Sequence, residues 1–141
     1  MDETADRNAI RELLFKYALM VDKNDWQMQD AIFHEEATID YASAGKGGSI
    51  GPYREMLLWL KESLKHSPAR YHFITNEIIS IDGDDADCTC AFNSPMVLEE
   101  PGAPKIVMTN SGYYHDRLVR TPQGWRIRTR IVDMGLQIFH K

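Results

Sequence analysis

The sequence predicts an α+β fold in which N-terminal helices pack on a strongly curved, mainly antiparallel sheet, giving a cone-shaped barrel. Apolar residues recur at helical spacing in the N-terminal half, whereas from Ala69 onward long alternating runs are separated by turn-rich connections. Helices followed by long antiparallel strands are typical of α+β folds. Glycines and prolines inside these strands permit the bending that leaves a conical cavity. With 141 residues, we expect one domain over residues 1–141.

The first helix is predicted over residues 4–22, where apolar side chains are spaced three and four apart. Lys23 and Asn24 end this helix, and Asp25 is expected to cap a short second helix, WQMQDAIF. The segment ATIDYASA then predicts a strand, and a glycine-rich turn follows it. Pro52 opens a third helix, YREMLLWLKESLK, because proline fits the first helical position.

Four strands are predicted in the C-terminal half, as RYHFITNEIISI, DCTCAFNSPMVLEE, KIVMTNSGYYHDRLVR and GWRIRTRIVDMGL. In the last of these, Arg126, Arg128 and Arg130 alternate with apolar side chains. Because side chains of a strand alternate between its two faces, we expect all three arginines on one solvated or subunit-facing surface with acidic partners. The tail LQIFHK either closes a pocket or packs on a neighbouring subunit, and the sequence leaves both open.

Composition excludes several classes of function. The net charge of −5 argues against general binding to nucleic acids or anionic membranes. The chain contains no apolar run long enough for a transmembrane helix, and its acidic start does not resemble a signal peptide, so we expect a cytoplasmic protein. Cys88 and Cys90 are predicted to be buried free thiols. The histidines lack metal-ligand spacing, and neither a metal nor a cofactor is predicted.

Two segments carry the candidate chemistry, VDKNDW around Asp22 and ARYHFITN around His72. The first ends the amphipathic helix, and the second lies in an alternating strand. If the two meet, the Asp22 carboxylate can accept a hydrogen bond from one imidazole nitrogen, fix the tautomer and stabilise the imidazolium. A histidine held in this way can take up and return a proton near neutral pH without a cofactor.

The order of short motifs along the chain resembles that of the NTF2-like, or SnoaL-like, α+β barrel superfamily, and within it the scytalone dehydratase-like proteins. The matching positions extend over about residues 8–134 and are Tyr17, Asp22, Asp25-Trp26, Ile39-Asp40-Tyr41, His72-Phe73-Ile74, Pro95, Ser111 and Gly124-Trp125. No single motif is specific, but their order and spacing together are.

The resemblance implies a cofactor-independent lyase that performs a dehydratase-type elimination with an Asp–His dyad. His72 would be the general acid/base, and Asp22 would orient it. The implied substrate is a small hydrophobic molecule derived from a polyketide, terpenoid, steroid or aromatic compound. Tyr41 or Tyr17 would hydrogen-bond the developing oxyanion. Tyr17 lies five positions before Asp22, about 140° round the helix, so a long side chain or a distorted helix end is needed for both to reach one pocket.

The substrate-binding residues are expected to be mostly aromatic and sulfur-containing: Trp26, Phe33, Met56, Phe92, Met96, Met108, Ser111 and Tyr113. Three positions depart from the scytalone dehydratase pattern. Val21, Met96 and Tyr113 stand where the resemblance predicts a tyrosine, a second histidine and an asparagine. The pocket should therefore be more apolar, and scytalone itself is not the expected substrate.

Two alternatives stay open at this stage. The first is an isomerase or cyclase that uses the same dyad. The second is a non-catalytic small-molecule-binding or assembly domain, which requires that Asp22 and His72 lie too far apart to hydrogen-bond or that side chains fill the cavity. The resemblance also implies a homotrimer assembled through the outer sheet face, with a dimer as the next expectation.

Overall fold

Short helical segments and a six-stranded sheet make up the part of the chain that the computed structural model describes, residues 2–140. The helical segments are α1 (Thr4–Asp22), a 3-10 turn (Trp26–Met28), α2 (Gln29–Ile32) and α3 (Tyr53–Ser63). The strands are β1 (Phe33–Asp40), β2 (Ile50–Pro52), β3 (Phe73–Asp82), β4 (Asp85–Leu98), β5 (Ile106–Thr121) and β6 (Gly124–His140).

The six strands form one mixed, open sheet in the order β2-β1-β6-β5-β4-β3. Only the β1–β6 pairing is parallel, and every other neighbouring pair is antiparallel. The helices cover one face, with α1 against β6 and β3 and α3 against β1. The α+β prediction with a curved, mainly antiparallel sheet is confirmed. No helix within residues 2–140 combines the length and apolar character that a membrane span requires.

Helix α1 ends where the sequence predicts, and its end is closed by backbone hydrogen bonds. Asn24 has a φ of 55°, in the left-handed region that asparagine tolerates. The Asp25 N–H donates to the Met20 carbonyl at 2.9 Å, and the Asn24 N–H donates to Val21 at 3.5 Å. This is the Schellman pattern of helix termination. It leaves Asp22 as the last helical residue, with its side chain free to reach another element.

Several predicted boundaries shift because tertiary pairing overrides local preference. β1 begins at Phe33 rather than Ala37, since Phe33 already pairs with Ile127 of β6. The second helical segment is correspondingly shorter and ends at Ile32. Asp25 precedes the 3-10 turn, but its side chain makes no capping hydrogen bond, so the predicted cap is wrong.

Two one-residue bulges in β6 change which of its side chains face the helices. Arg128 is the extra residue at the first bulge, and Gly135 is the extra residue at the second. Ile127 faces inward before the first bulge, whereas Arg130 faces inward after it and Ile131 is exposed. A bulge inserts one residue and so reverses the alternation beyond it. The prediction that the three arginines of β6 share one outer surface is therefore wrong.

The β6 strand also absorbs the C-terminal tail. It continues to His140, which pairs with Val107 of β5. On β4, Cys88 and Cys90 face the core as free, buried thiols, as predicted. Burial raises the pKa of Cys88 to about 12 and the pKa of Cys90 to about 11, so both thiols stay protonated at neutral pH.

Candidate active site

The Asp22 carboxylate and the His72 imidazole are in direct contact. Asp22 Oδ1 lies 2.6 Å from His72 Nδ1, and Asp22 Oδ2 accepts the His72 backbone N–H at 2.8 Å. The two side chains are only 13% and 11% exposed, respectively. An ionised carboxylate can only accept, so Nδ1 donates and Nε2 of the neutral ring keeps its lone pair. Nε2 lies 3.3 Å from the hydroxyl oxygen of Ser94 on β4.

A buried arginine holds the two ends of this contact together. Arg70 Nε donates to the carbonyl of Val21 at 2.9 Å, and its Nη2 donates to the Asn24 side chain. Arg70 thereby binds the end of α1 to the segment that leads into His72. Burial lowers the pKa of the Arg70 guanidinium, and the nearby Asp22 charge opposes that shift.

A cavity of about 130 Å³ lies between the helices and the inner sheet face, and His72 forms part of its wall. Its lining is mainly aromatic, aliphatic and sulfur-containing. The residues are Tyr17, Tyr41, Ala44, Trp59, Leu60, Ser63, Leu64, His72, Phe92, Ser94, Met96, Leu98, Met108, Asn110, Tyr114, Val132, Met134 and Gln137. Its volume is close to the roughly 150 Å³ of an engineered cavity that binds benzene, so the space suits a molecule of about one ring.

Two buried tyrosines supply hydroxyl groups to this cavity. The hydroxyl oxygens of Tyr17 and Tyr41 lie 2.5 Å apart. Burial raises the pKa of both phenols. The nearby Arg130 charge opposes this shift but is the smaller effect for each tyrosine. Both hydroxyls are therefore neutral near pH 7. One donates to the other, which leaves the second proton available for a ligand.

A buried ion pair lies behind the tyrosines. Arg130 Nε and Nη2 donate to the two carboxylate oxygens of Asp116 at 2.8 and 2.7 Å, and neither side chain is exposed. The guanidinium carbon lies 4.3 Å from the ring centre of Tyr17 and 4.1 Å from that of Tyr114. Burial lowers the pKa of Arg130, but the Asp116 carboxylate more than reverses the effect, so the arginine is charged.

The structure brings seven of the residues predicted from sequence to one place. Asp22 contacts His72, and the remaining members of this set line the cavity. They are His72, Tyr17, Tyr41, Phe92, Met96 and Met108. Tyr17 lines the cavity directly, whereas Asp22 contacts His72 and does not line the cavity itself. The two residues therefore do not need to lie on the same side of α1.

Three predicted substrate contacts belong to the hydrophobic core instead. Trp26 is partly buried against the core from the 3-10 turn. Phe33 is buried and stacks on Tyr53 with ring centres 5.3 Å apart. Met56 packs on the inner side of α3, away from the cavity lining. Their apolar character predicts burial, but burial alone does not place a side chain at a pocket.

Ser111 and Tyr113 also lie outside the cavity, on the outer face of the sheet. The alternation along β5 turns Met108 and Asn110 inward, so the odd-numbered residues point outward. Ser111 donates to the Asn93 side chain at 2.7 Å, and Tyr113 is 52% exposed. Neither residue lines the cavity beside His72.

Several cavity residues were missed by sequence reasoning. Ser94 and Asn110 could have been found, because each lies two positions from a predicted pocket residue on the same strand face. Uniform alternation from Trp125 and Ile127 would also have placed Gln137 at the cavity, because the two β6 bulges cancel before it. Arg130 lies behind the cavity only because the bulge at Arg128 reverses the alternation before it. A bulge has no distinct sequence signature at Arg128, so this part of the site could not have been predicted.

The chain matches known proteins over nearly its whole length. A family model described as the SnoaL-like domain matches residues 2–131. The protein Rv2910c of Mycobacterium tuberculosis is 34% identical over 129 residues, which covers 92% of this chain and 85% of the relative. The crystal structure of Kfla4162 from Kribbella flavida superimposes with a TM-score of 0.85 at 25% identity, over 97% of this chain and 95% of that one.

Two further structural neighbours carry names of eliminating enzymes. A scytalone dehydratase-like protein from Novosphingobium aromaticivorans has a TM-score of 0.79 at 17% identity, covering 96% of this chain and 88% of its own. A hexachlorocyclohexane dehydrochlorinase, LinA type 2, has a TM-score of 0.81 at 18% identity, covering 99% and 91%. At 17% and 18% identity, these superpositions show a shared fold and nothing further.

Proposed function

The chain belongs to the SnoaL-like domain family, and we propose that it is a cofactor-independent lyase that eliminates water from a small hydrophobic substrate. The observation that carries this proposal is the 2.6 Å contact between Asp22 and His72, with the free Nε2 of His72 at the wall of an apolar cavity. The named activities of the two eliminating neighbours are consistent with it.

In the proposed reaction, His72 Nε2 removes a proton from the carbon next to a substrate carbonyl. Asp22 stabilises the resulting imidazolium through Nδ1. The available hydroxyl proton of the Tyr17–Tyr41 pair hydrogen-bonds the oxygen on which negative charge develops. The carbon–oxygen bond at the next carbon then breaks, the imidazolium returns its proton to the departing hydroxyl, and water leaves. The free enzyme is regenerated without a cofactor.

The size of the cavity narrows the proposed substrate. About 130 Å³ of space beside His72 accommodates one ring of six carbons. Among the classes that the resemblance implies, a single-ring aromatic-derived or terpenoid-derived hydroxy ketone is therefore the best fit. Its body would contact sulfur and aromatic side chains such as Phe92, Met96 and Met108.

The non-catalytic alternative makes two structural demands that this site does not meet. It requires Asp22 and His72 to be separated, but their atoms lie at hydrogen-bond distance. It otherwise requires side chains to fill the cavity, but an empty volume remains beside His72. Both observations support an enzyme.

The proposal is tested with 3-hydroxycyclohexanone, a single-ring hydroxy ketone that loses water to give a conjugated enone that absorbs in the ultraviolet. We expect wild-type protein to form the enone. In deuterated water, the unreacted substrate should also exchange a hydrogen on the carbon next to the carbonyl, whenever the imidazolium exchanges its proton with solvent and returns it to that carbon before the carbon–oxygen bond breaks. His72→Ala should lower the rate by about 10²–10⁴-fold, the usual contribution of a general base. His115→Ala is the matched control, because His115 pairs with Asp133 on the outer face.

Product analysis separates the elimination from its alternatives. Deuterium incorporation with rearrangement of the carbon skeleton but no loss of water would indicate an isomerase or cyclase that uses the same dyad. Equal turnover by wild type and His72→Ala, or neither enone nor deuterium incorporation with wild type, would contradict the proposal.

A further inference from the structure

Asp22, His72 and Ser94 form a continuous hydrogen-bonded row. The Asp22 carboxylate contacts Nδ1 of the imidazole at 2.6 Å, and the opposite nitrogen, Nε2, lies 3.3 Å from Ser94 Oγ. This is the relation of orienting acid, base and nucleophile in serine hydrolases, where such contacts are often looser without substrate. The elimination proposed above uses His72 and Asp22 but gives Ser94 no role.

The Ser94 hydroxyl has no structural partner that would occupy it. Among residues 2–140, its Oγ hydrogen-bonds only to His72. Serines elsewhere donate to backbone carbonyls instead, as Ser43 does to Val132 at 2.6 Å and the buried Ser67 does to Ala69 at 3.3 Å. Ser94 is 1% exposed, yet it lines the cavity. Its hydroxyl is therefore directed at the base and at the ligand space together.

A hydrogen-bond donor for an oxyanion lies on the neighbouring strand. Asn110 of β5 is paired directly with Ser94 of β4, and both side chains face the cavity. Side chains paired in this way have Cβ atoms about 4.5–5.5 Å apart. Asn110 Oδ1 accepts from Gln137 Nε2 at 3.0 Å, which fixes the amide and leaves Nδ2 without a partner among residues 2–140. A side-chain amide is one of the groups that form oxyanion holes.

From these contacts we propose that Ser94 is a nucleophile and that this cavity also hydrolyses short-chain carboxylic esters. Ser94 Oγ bonds to the ester carbonyl carbon while His72 Nε2 takes the hydroxyl proton, and Asn110 Nδ2 donates to the oxyanion. The bond to the alcohol oxygen breaks, and His72 protonates the departing alcohol. Water, activated by His72, then attacks acyl-Ser94 and releases the carboxylic acid and the serine.

The surroundings of Ser94 set the size of the acyl group. Phe92 and Met96 lie on either side of it along the inner face of β4. Within a cavity of about 130 Å³, they leave room for acetyl to butyryl chains. The proposed second activity shares His72 with the elimination, but it does not depend on the elimination being correct.

The test uses p-nitrophenyl acetate and an alkyl fluorophosphonate, which forms a stable adduct with activated serines. We expect wild-type protein to release p-nitrophenol and to gain one phosphonyl group, located at Ser94 by peptide mass spectrometry. Ser94→Ala should lose both reactions, and Asn110→Ala should lower ester hydrolysis by about 10²–10³-fold. Ser80→Ala, at an exposed position on β3, serves as the control and should behave as wild type.

Each other outcome contradicts the role of Ser94. No adduct at Ser94 in folded wild type would exclude an activated hydroxyl. An adduct that persists in His72→Asn, with an unchanged circular dichroism spectrum, would show that His72 does not activate it. Ester hydrolysis that survives in Ser94→Ala but disappears in His72→Asn would assign the reaction to the imidazole alone. Dehydration of 3-hydroxycyclohexanone is measured on the same variants, so failure of this proposal is distinguishable from failure of the elimination.

Discussion

The Arg130 side chain places a full positive charge in the interior, and its partner determines whether that charge is tolerated. Asp116 neutralises it through two hydrogen bonds. Breaking a buried ion pair leaves an unpaired charge and usually costs about 3–5 kcal/mol. We therefore expect Asp116→Ala to lower the free energy of unfolding by about that amount, measured by urea denaturation.

An exposed pair on the same sheet provides the control. Arg117 and Asp87 lie 3.3 Å apart with side chains 77% and 67% exposed. Because water already solvates such a pair, Asp87→Ala should cost at most about 1 kcal/mol. Replacing Arg130 and Asp116 together by methionine and leucine should cost less than Asp116→Ala alone, since no unpaired charge remains. Equal losses for Asp116→Ala and Asp87→Ala would contradict this electrostatic account.

At the level of elements, the sequence predicts a feature correctly when the residue pattern that determines it is local. The periodicity of α1 and its Lys23-Asn24 stop are local signals, and both are observed. The contact between Asp22 and His72 joins positions fifty residues apart, and the ordered family motifs indicated it where periodicity could not. The inward position of Arg130 depends on a bulge set by pairing with β5, so a uniform alternation along β6 placed it on the wrong face.

The second bulge of β6 depends on a glycine in the opposite strand. At Gly112, a Cβ atom would lie 2.1 Å from the carbonyl oxygen of Asp133, and both atoms belong to well-packed strands. Gly112→Ala should therefore force the strands apart and cost about 1–3 kcal/mol, as overpacking commonly does. Thermal or urea unfolding measures the loss. Ser111→Ala, one residue earlier on the outer face, is the matched control and should stay within about 0.5 kcal/mol of wild type.

At the scale of the whole molecule, Asp6 of α1 binds to the sheet next to the turn between β5 and β6. Its carboxylate accepts two hydrogen bonds from Arg120 at 2.7 and 2.9 Å and one from the Trp125 indole at 3.0 Å. The hydrogen bonds from Arg120, followed by that from Trp125, lower the pKa of Asp6 from 3.8 to about 2. The folded state therefore binds this proton more weakly than the unfolded chain.

The lowered pKa of Asp6 predicts a specific acid sensitivity. Its contribution to stability is complete above the unfolded pKa near 4 and is lost as the pH falls through about 2. We expect Asp6→Asn to be less stable than wild type at pH 7 and to lose stability less steeply between pH 4 and pH 2. Urea denaturation at a series of pH values measures both effects. Glu12→Gln, at an exposed position of the same helix, should leave the slope unchanged.

The outer sheet face carries an apolar patch that a monomer would leave in water. We define the patch by Phe73, Tyr113, Ile131, Leu136 and Ile138, all of which are more than 40% exposed. Four sheet positions form a row across it, because Phe73, Asn93, Ser111 and Leu136 are successive register partners. Large contiguous apolar surfaces on soluble proteins usually mark sites of association. We expect a homotrimer assembled through this patch, with a dimer as the alternative.

Sedimentation velocity of wild-type protein and two charge variants tests the assembly. Leu136→Asp places an unpaired carboxylate in the middle of the proposed interface, where desolvation would penalise it, so the trimer should dissociate at micromolar concentration. Leu58→Asp is the matched control, because Leu58 is 66% exposed on α3 and lies outside the patch. It should sediment as wild type does. A monomeric wild type, or a Leu136→Asp variant that remains fully assembled, would show that this patch is not the interface, whereas dissociation of Leu136→Asp alone would place the subunit contact on the sheet face opposite the cavity.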